Sequence, residues 1–209
     1  MGPVNSAGFH ARQWIVVDDT RTGITRNSET GAADRIEGLR PEDVMRVQKR
    51  NYASVLTHGL ALAWADYQGT GALYEPRMWE MFNRMREAYD ATWNGENAPR
   101  SGEFVEYPTP QKRTTLMVVV DEASRFYQRC DSKLNELLLL RARDAALRVG
   151  VPVQFCLLQD VLDGHAAPAS AYLFLNAFHL HAEDREQLRN IMIANGSAAI
   201  WLYSPGYLS

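Results

Sequence analysis

Two adjacent carboxylates, Asp18 and Asp19, and the nearby Arg21 follow directly on a short apolar run at residues 13–17. The run contains tryptophan, isoleucine and two valines, which is typical of a strand. In parallel α/β proteins, binding and catalytic side chains lie where such strands end. One aspartate could then act as a nucleophile or accept a hydrogen bond from a sugar hydroxyl, with Arg21 orienting it. The alternative is a loop carboxylate that pairs with Arg21 in solvent.

A second group of the same kind follows the next apolar run. Trp64, Asp66 and Tyr67 lie at or just beyond the end of residues 60–65. Aromatic rings pack against sugar rings and carboxylates accept hydrogen bonds from hydroxyl groups, so this group suits a carbohydrate subsite. Tryptophan is also a common core residue, and in that case Asp66 caps a helix or organises a loop.

The second half of the chain carries polar residues at comparable positions. Asp121 follows the apolar run at 114–120, and Asn176 follows a later run. Open parallel sheets bind ligands at this edge, but the turn after the first run has none of the glycines that let a backbone approach a phosphate. The sequence therefore disfavours nucleotide binding, and we expect Asp121 or Ser124 to cap the following helix.

Cysteines and histidines show no metal-ligand spacing. Cys130 and Cys156 are far apart and lie in apolar segments, so we expect two buried free thiols. A nucleophilic cysteine lies on a sharp turn, commonly between glycines, whereas Cys156 lies within a hydrophobic run. His179 and His181 lack a third convergent ligand. We therefore predict no metal site and no cofactor.

Length and charge exclude some classes of partner. The chain has 209 residues, 46% of them hydrophobic, and a formal net charge of −3. That length holds one or two domains with a packed core, and the charge gives no general attraction to nucleic acid or anionic membranes. No apolar stretch reaches the ~18 residues of a membrane span, and residues 1–12 lack a signal-peptide layout. We therefore expect a soluble protein with neither a nucleic-acid nor a membrane partner.

Residues 114–209 alternate between strand and helix patterns. Short apolar runs typical of strands occur at 114–120, 151–157, 170–175 and 197–203, and the first of them is typical of a strand buried on both faces. Helical spacing occurs at 123–149 and 182–194, with a short helical turn at 158–163. Alternation of this kind predicts parallel strands joined by right-handed crossovers, that is, a doubly wound parallel sheet.

Residues 13–93 contain only two strand–helix units. The apolar runs described above are each followed by a helical pattern, at 41–58 and from Pro76 onward, the second with an inward stripe of Met78, Phe82, Met85 and Tyr89. Residues 23–39 are typical of a long polar loop. Two parallel strands do not easily make a self-sufficient sheet. The polar stretch at 94–113, with three prolines, is the expected linker to the second half.

Longer motifs in the second half resemble a known family. Asp121-Glu122, Leu175-Asn176-Ala177-Phe178 and Trp201-Leu202-Tyr203-Ser204-Pro205-Gly206-Tyr207 are similar to the trimerisation domain of β-galactosidases of glycoside hydrolase family 42 and of related glycosidase-like proteins. The resemblance implies a flavodoxin-like, or class I glutamine-amidotransferase-like, fold that follows a (β/α)₈ catalytic barrel. It also implies a homo-oligomer.

Under the same resemblance, residues 13–93 are the end of that barrel and contain its seventh and eighth strands. The family places a nucleophilic glutamate at the end of the seventh strand and an acid/base glutamate after the fourth. Here residues 16–19 are Val-Val-Asp-Asp, without a glutamate, and the fourth strand is absent from this chain. Ordinary glycoside hydrolysis needs a pair of carboxyl groups, so we expect no hydrolysis by this chain alone.

The sequence therefore predicts an α/β protein with a partial barrel remnant at 13–93, a linker at 94–113 and a flavodoxin-like assembly domain at 114–209. The expected role is assembly, or completion of a substrate pocket, in a β-galactosidase-like glycoside hydrolase, as a dimer or trimer with a carbohydrate ligand. Three alternatives stay open. The chain could be a stand-alone interaction module, a flavodoxin-like small-molecule or carbohydrate binder, or an amidotransferase-like hydrolase, which the position of Cys156 disfavours.

Overall fold

A computed structural model describes residues 3–20, 22–26, 29–30, 33–35, 40–93 and 116–208. The described residues form two compact units. One contains residues 13–93, and the other combines residues 3–12 with 116–208. Arg21 and the linker predicted at 94–113 lie outside the described residues.

All six strands predicted from apolar runs are confirmed. The elements up to residue 93 are α1 (Val4–Phe9), β1 (Ile15–Asp18), β2 (Ile24–Arg26), β3 (Ala33–Arg35), α2 (Pro41–Thr57), β4 (Ala61–Trp64) and α3 (Pro76–Trp93). The elements from residue 116 are β5 (Leu116–Val120), α4 (Glu122–Arg125), α5 (Lys133–Asn135), a π-helical turn (Glu136–Arg141), α6 (Ala142–Ala146), β6 (Val153–Leu157), α7 (Leu158–Leu162), β7 (Ala171–Phe174), α8 (Ala182–Asn195) and β8 (Ala198–Trp201).

The unit at 13–93 is built on a parallel pair of strands, β1 and β4, in which Asp18 lies opposite Trp64. Pro41 occupies the first turn of α2, where its missing N–H costs nothing. The side chains of α3 that are predicted to point inward form the core: Met78, Phe82 and Met85 are buried, while Tyr89 is only partly buried. Ile24 and Met81 complete this core cluster.

The continuous polar loop predicted at 23–39 is wrong in part. β2 and β3 form an antiparallel pair in which Ile24 lies opposite Arg35. These strands are only three residues long and mostly polar, so they lack the apolar alternation by which a strand is recognised in a sequence. The buried side chain of Ile24 attaches the pair to the core.

The second unit is a four-stranded parallel sheet in the order β6-β5-β7-β8. This is the order of a flavodoxin-like α/β fold, with the first strand of the unit in the centre. Alternate residues of each strand face opposite sides. Met117 and Val119 pack toward α7 and α8 on one side, and Val118 packs toward α6 on the other.

The single helix predicted at 123–149 is wrong in part, because α4 is a separate short helix, and only α5, the π-helical turn and α6 follow one another without a gap, from Lys133 to Ala146. The first helix ends at Arg125, and a new helix begins after Ser132. The Ser132 hydroxyl caps this helix by accepting a hydrogen bond from the Asn135 N–H at 3.1 Å. A serine at such a position competes with the helical backbone for hydrogen bonds. The spacing of leucines beyond residue 133 gives no sign of this break.

The short helix α1, which the sequence does not predict, covers the outer edge of β6. Asn5 Oδ1 accepts a hydrogen bond from the Phe155 N–H, and Ser6 Oγ accepts one from the Leu157 N–H, both at 2.9 Å. An edge strand has alternate N–H groups without a strand partner, and these two side chains satisfy them. No described helix is long and apolar enough to cross a membrane.

Candidate functional site

The carboxyl ends of β1 and β4 bring the first group of predicted site residues together. Because Asp18 and Trp64 are opposite in the parallel register, the loops that carry Asp19 and Asp66 begin side by side. The Ala65 N–H donates to the Asp18 carbonyl oxygen at 3.0 Å, which extends the ladder by one bond. The polar residues that follow these two parallel strands therefore lie along one edge of the sheet. We call residues 18–20 and 64–67 the β1–β4 edge.

Asp18 is the buried carboxylate of this edge, with 6% of its surface exposed. Its Oδ1 accepts hydrogen bonds from the backbone N–H and the hydroxyl of Thr20, at 2.9 and 2.5 Å. Its Oδ2 accepts one from Asn51 Nδ2 at 2.8 Å. Three donors thus hold both oxygens, whereas the neighbouring Asp19 is exposed to solvent.

Asp66 organises the loop that follows β4. Its Oδ2 accepts hydrogen bonds from the N–H groups of Gly71 and Ala72 at 2.7 and 3.0 Å, and its Oδ1 accepts one from the Thr70 N–H at 3.2 Å. Partial desolvation acts to raise the pKa of Asp66, but the backbone donors, that of Ala72 first, outweigh it and hold this pKa below its ordinary value. Asp66 is therefore an anionic anchor for the loop.

Trp64 is the residue of this edge that packs against the core. Its ring stacks on Phe82 with centroids 4.0 Å apart, and its Nε1 donates to Gln48 Oε1 at 3.0 Å. Gln48 is fully buried, and its Nε2 has no hydrogen-bond partner among the described residues. A buried amide without a partner costs about 1–3 kcal/mol, which a water or a ligand oxygen would offset. Tyr67, in contrast, is 73% exposed.

Thr20, Gln48 and Asn51 belong to the site but are not identified in the sequence analysis. Gln48 and Asn51 share one face of α2 with the buried Val44 and Val55, at spacings of four, three and four. Polar side chains inside an otherwise apolar stripe are the signal that could have found them. Such residues face a polar partner, here the β1–β4 edge.

The carboxyl ends of β5 and β7 carry a different network. Asn176 Oδ1 accepts from the Asp121 N–H at 2.9 Å, and Asn176 Nδ2 donates to the Asp121 carbonyl oxygen at 2.8 Å. Asp121 caps α4 by accepting from the Ala123 N–H, as predicted. Ser124 donates to the Asp121 carboxylate and accepts from the N–H groups of Phe178 and His179 at 2.9 and 2.8 Å. Burial raises the pKa of Asp121, although the Ser124 hydrogen bond opposes this.

The network around Asp121 is structural, because its polar groups are used by one another. Asp121, Ser124 and Asn176 are all buried. A ligand would have to break these bonds to reach them, so the sheet edge at β5 and β7 offers no free polar group of this set.

The two cysteines differ in their surroundings. Cys156 is fully buried, as predicted, and burial raises the pKa of its thiol far above the ordinary range, which excludes a thiolate nucleophile at neutral pH. Cys130 is exposed, so the prediction that it is buried is wrong: it lies in the turn where the predicted helix is broken. In the described part of the chain, no group of three His, Cys, Asp or Glu side chains could hold a metal ion.

A histidine and a buried carboxylate meet where α1 packs against α7. His10 Nε2 lies 2.7 Å from Asp160 Oδ1, and the ring of His165 contacts that of His10 with centroids 4.8 Å apart. Asp160 Oδ2 is buried and has no partner among the described residues. The sequence gives no signal for this pair, because its members are 150 positions apart. It fixes the end of α1 to the sheet unit.

Comparisons with protein-family models, with curated proteins and with solved structures find no match to this chain. The class of protein is therefore defined by the fold alone: an α/β protein whose larger unit has a flavodoxin-like parallel sheet.

Proposed function

We propose that this chain is a non-catalytic, carbohydrate-binding and assembly part of a β-galactosidase-like glycoside hydrolase. The observation that carries the binding role is the β1–β4 edge. Asp19 and Tyr67 offer a carboxylate and an aromatic ring to solvent at this edge. Sugars are recognised by this combination of hydrogen-bond acceptors and aromatic surface.

The bonding of the edge supports a preformed site. Asp18 and Asp66 are each held by several donors, so the loops that carry Asp19 and Tyr67 are fixed before a ligand arrives. Preorganised loops lose less conformational entropy on binding than mobile ones.

The same bonding argues against hydrolysis by the chain alone. Glycoside hydrolysis requires one carboxyl group as an acid and a second as a nucleophile or base. Both oxygens of Asp18 already accept hydrogen bonds, and Asp66 is an anchored anion whose pKa is lowered. A general acid requires the opposite, a raised pKa. We therefore expect no turnover of aryl galactosides or other aryl glycosides.

The assembly role rests on apolar side chains that the sheet unit leaves in solvent. Four large residues of this kind are Leu137, Leu140, Leu147 and Ile200. Full burial of a side chain of this size contributes about 1.5–3 kcal/mol, and these four side chains are still 43–49% exposed. Association with further copies of the chain, as a dimer or trimer, would recover part of this contribution.

A thermal-shift screen against galactosides, glucosides and mannosides tests the binding role. We expect at least one sugar to raise the melting temperature of the wild-type chain and to lose this effect in Tyr67→Ala. Tyr207→Ala, which removes an exposed tyrosine of the sheet unit, is the matched control and should keep the response. If no sugar stabilises the wild type, or if both variants respond alike, the proposed edge is not the site.

A further inference from the structure

The four-stranded sheet has one covered edge and one open edge. At the β6 edge, α1 supplies Asn5 and Ser6 to the free N–H groups. At the β8 edge, no described residue bonds to the outward backbone groups. Proteins normally protect edge strands with charges, prolines, bulges or a covering element. Within the described part of the chain, β8, with the sequence Ala-Ala-Ile-Trp, has none of these.

Only two residues of β8 present backbone groups to the open side. The Ala198 N–H donates to the carbonyl oxygen of Ser170, just before β7, and the Leu202 N–H donates to the carbonyl oxygen of Phe174 in β7. Both N–H groups therefore point toward β7. The direction of N–H and C=O groups alternates along a strand, so those of Ala199 and Trp201 point outward.

The strand cannot be extended at either end. Before it, the Ser197 N–H is bonded to the Met192 carbonyl oxygen at 2.9 Å. After it, Tyr203 has a φ of 63°, which is not an extended conformation. A partner strand therefore finds two outward residues and no more.

We infer that β8 pairs with β8 of a second copy of this chain, antiparallel and about a two-fold axis at Ile200. This inference rests on the assembly role proposed above and names its surface. With the axis at Ile200, Ala199 of each copy lies opposite Trp201 of the other. Each of these two pairs exchanges two backbone hydrogen bonds. An axis at Ala199 would need the N–H of Ser197, and one at Trp201 would need an extended Tyr203, so the geometry selects Ile200.

The side chains around Ile200 suit a second copy. Ile200 is 47% exposed and lies on the same face as Leu173 and Leu202, which are partly buried. The two-fold axis brings both apolar faces together. Although the chain has a net charge of −3, residues 190–209 contain no charged residue, so the two copies do not repel each other at this edge.

The covered β6 edge sets the size of the assembly. A sheet with two open edges could add strands without limit, whereas an isologous contact at one edge closes at two copies. The result is an eight-stranded sheet with α1 at each end. A four-residue strand buries less than the ~1,000 Å² of a stable interface, so we expect a dimer that dissociates on dilution.

Disulfide cross-linking tests the register directly. In the antiparallel pair, Ile200 of one copy lies opposite Ile200 of the other, as a non-hydrogen-bonded pair. The two Cα atoms of such a pair are about 4.5 Å apart, a separation that a disulfide can span. The test uses the full chain with Cys130→Ser, which removes the exposed native thiol, and adds Ile200→Cys. Oxidised glutathione accepts the two electrons from the two thiols and is released as two molecules of glutathione. We expect a covalent dimer on a non-reducing gel.

Ile193→Cys in the same Cys130→Ser chain is the matched control, because Ile193 is an isoleucine of α8 that is 67% exposed. It should remain largely uncross-linked.

Sedimentation equilibrium gives the second readout: Ile200→Lys should raise the dimer dissociation constant at least tenfold, and Ile193→Lys should leave it unchanged. Suppose that the wild type associates, but that Ile200→Lys dissociates no more readily than Ile193→Lys and Ile200→Cys cross-links no more than Ile193→Cys. Pairing through β8 is then overturned, while the assembly role stands. If the wild type is a monomer at every concentration, both fail.

Discussion

Individual buried polar side chains determine how the strand ends of this protein are built. Asn176 bonds to both backbone groups of Asp121, and Asn51 and Thr20 hold Asp18. In each case an amide or hydroxyl side chain satisfies groups that would otherwise be buried without a partner. Removing any one of these polar side chains should therefore lower the stability of the fold, because the surrounding apolar core offers no other hydrogen-bond partner.

Asn176→Ala should destabilise the sheet unit. It removes the partner of the Asp121 N–H and of the Asp121 carbonyl oxygen, and each buried group left unsatisfied costs about 1–3 kcal/mol. Urea unfolding should show a lower free energy of unfolding than for the wild type. Asn190→Ala, on the exposed face of α8, is the control and should have little effect. Equal stabilities of the two variants would show that the Asn176 bonds do not stabilise the fold.

Asp121 should make stability depend on pH. Burial raises its pKa in the folded state, so the folded state binds the proton more tightly than the unfolded one. The resulting stabilisation is fully present below the ordinary value of 3.8 and is lost as the pH rises through the folded-state pKa. Relative to Asp121→Asn, the unfolding free energy of the wild type should therefore fall with rising pH. A relative rise over a pH series that starts below 3.8 would contradict a raised pKa.

At the scale of elements, strands and their parallel pairing follow from local patterns, while covering elements do not. Apolar runs identify six strands, and the alternation with helices predicts their parallel pairing. The break between α4 and α5 is hidden because the leucine spacing continues beyond it. The hairpin of β2 and β3 and the helix α1 are too short to show a periodic apolar pattern, and distant contacts stabilise them.

The edge cover by α1 gives a prediction for hydrogen exchange. Asn5→Ala should release the Phe155 N–H, and Ser6→Ala should release the Leu157 N–H. Each variant should therefore speed exchange of its own amide far more than that of the other, because exchange requires the hydrogen bond to open. Each variant is the control for the other. Unchanged protection at both amides would mean that α1 does not cover the β6 edge in solution.

At the scale of the whole chain, the fold was more predictable than the site. Asp18, Asp19, Trp64, Asp66 and Tyr67 do meet at the ends of β1 and β4, because parallel strands end at one edge. Which of them is free for a ligand depends on hydrogen bonds from distant residues, and the sequence gives no such information. Residues 3–12 belong to the sheet unit, although residues 13–93 follow them in the chain, which only the three-dimensional structure reveals.

Under the proposed function, the β1–β4 edge binds a carbohydrate. The direct measurement is a titration of the ¹⁵N-labelled chain with methyl β-galactoside, followed by NMR chemical shifts. We expect saturable shifts of the Asp19, Asp66 and Tyr67 amides and of Trp64 Nε1–H, with Tyr67→Ala weakening binding at least tenfold. Absence of saturable shifts with methyl β-galactoside, or shifts confined to residues 116–208, would contradict binding at this edge.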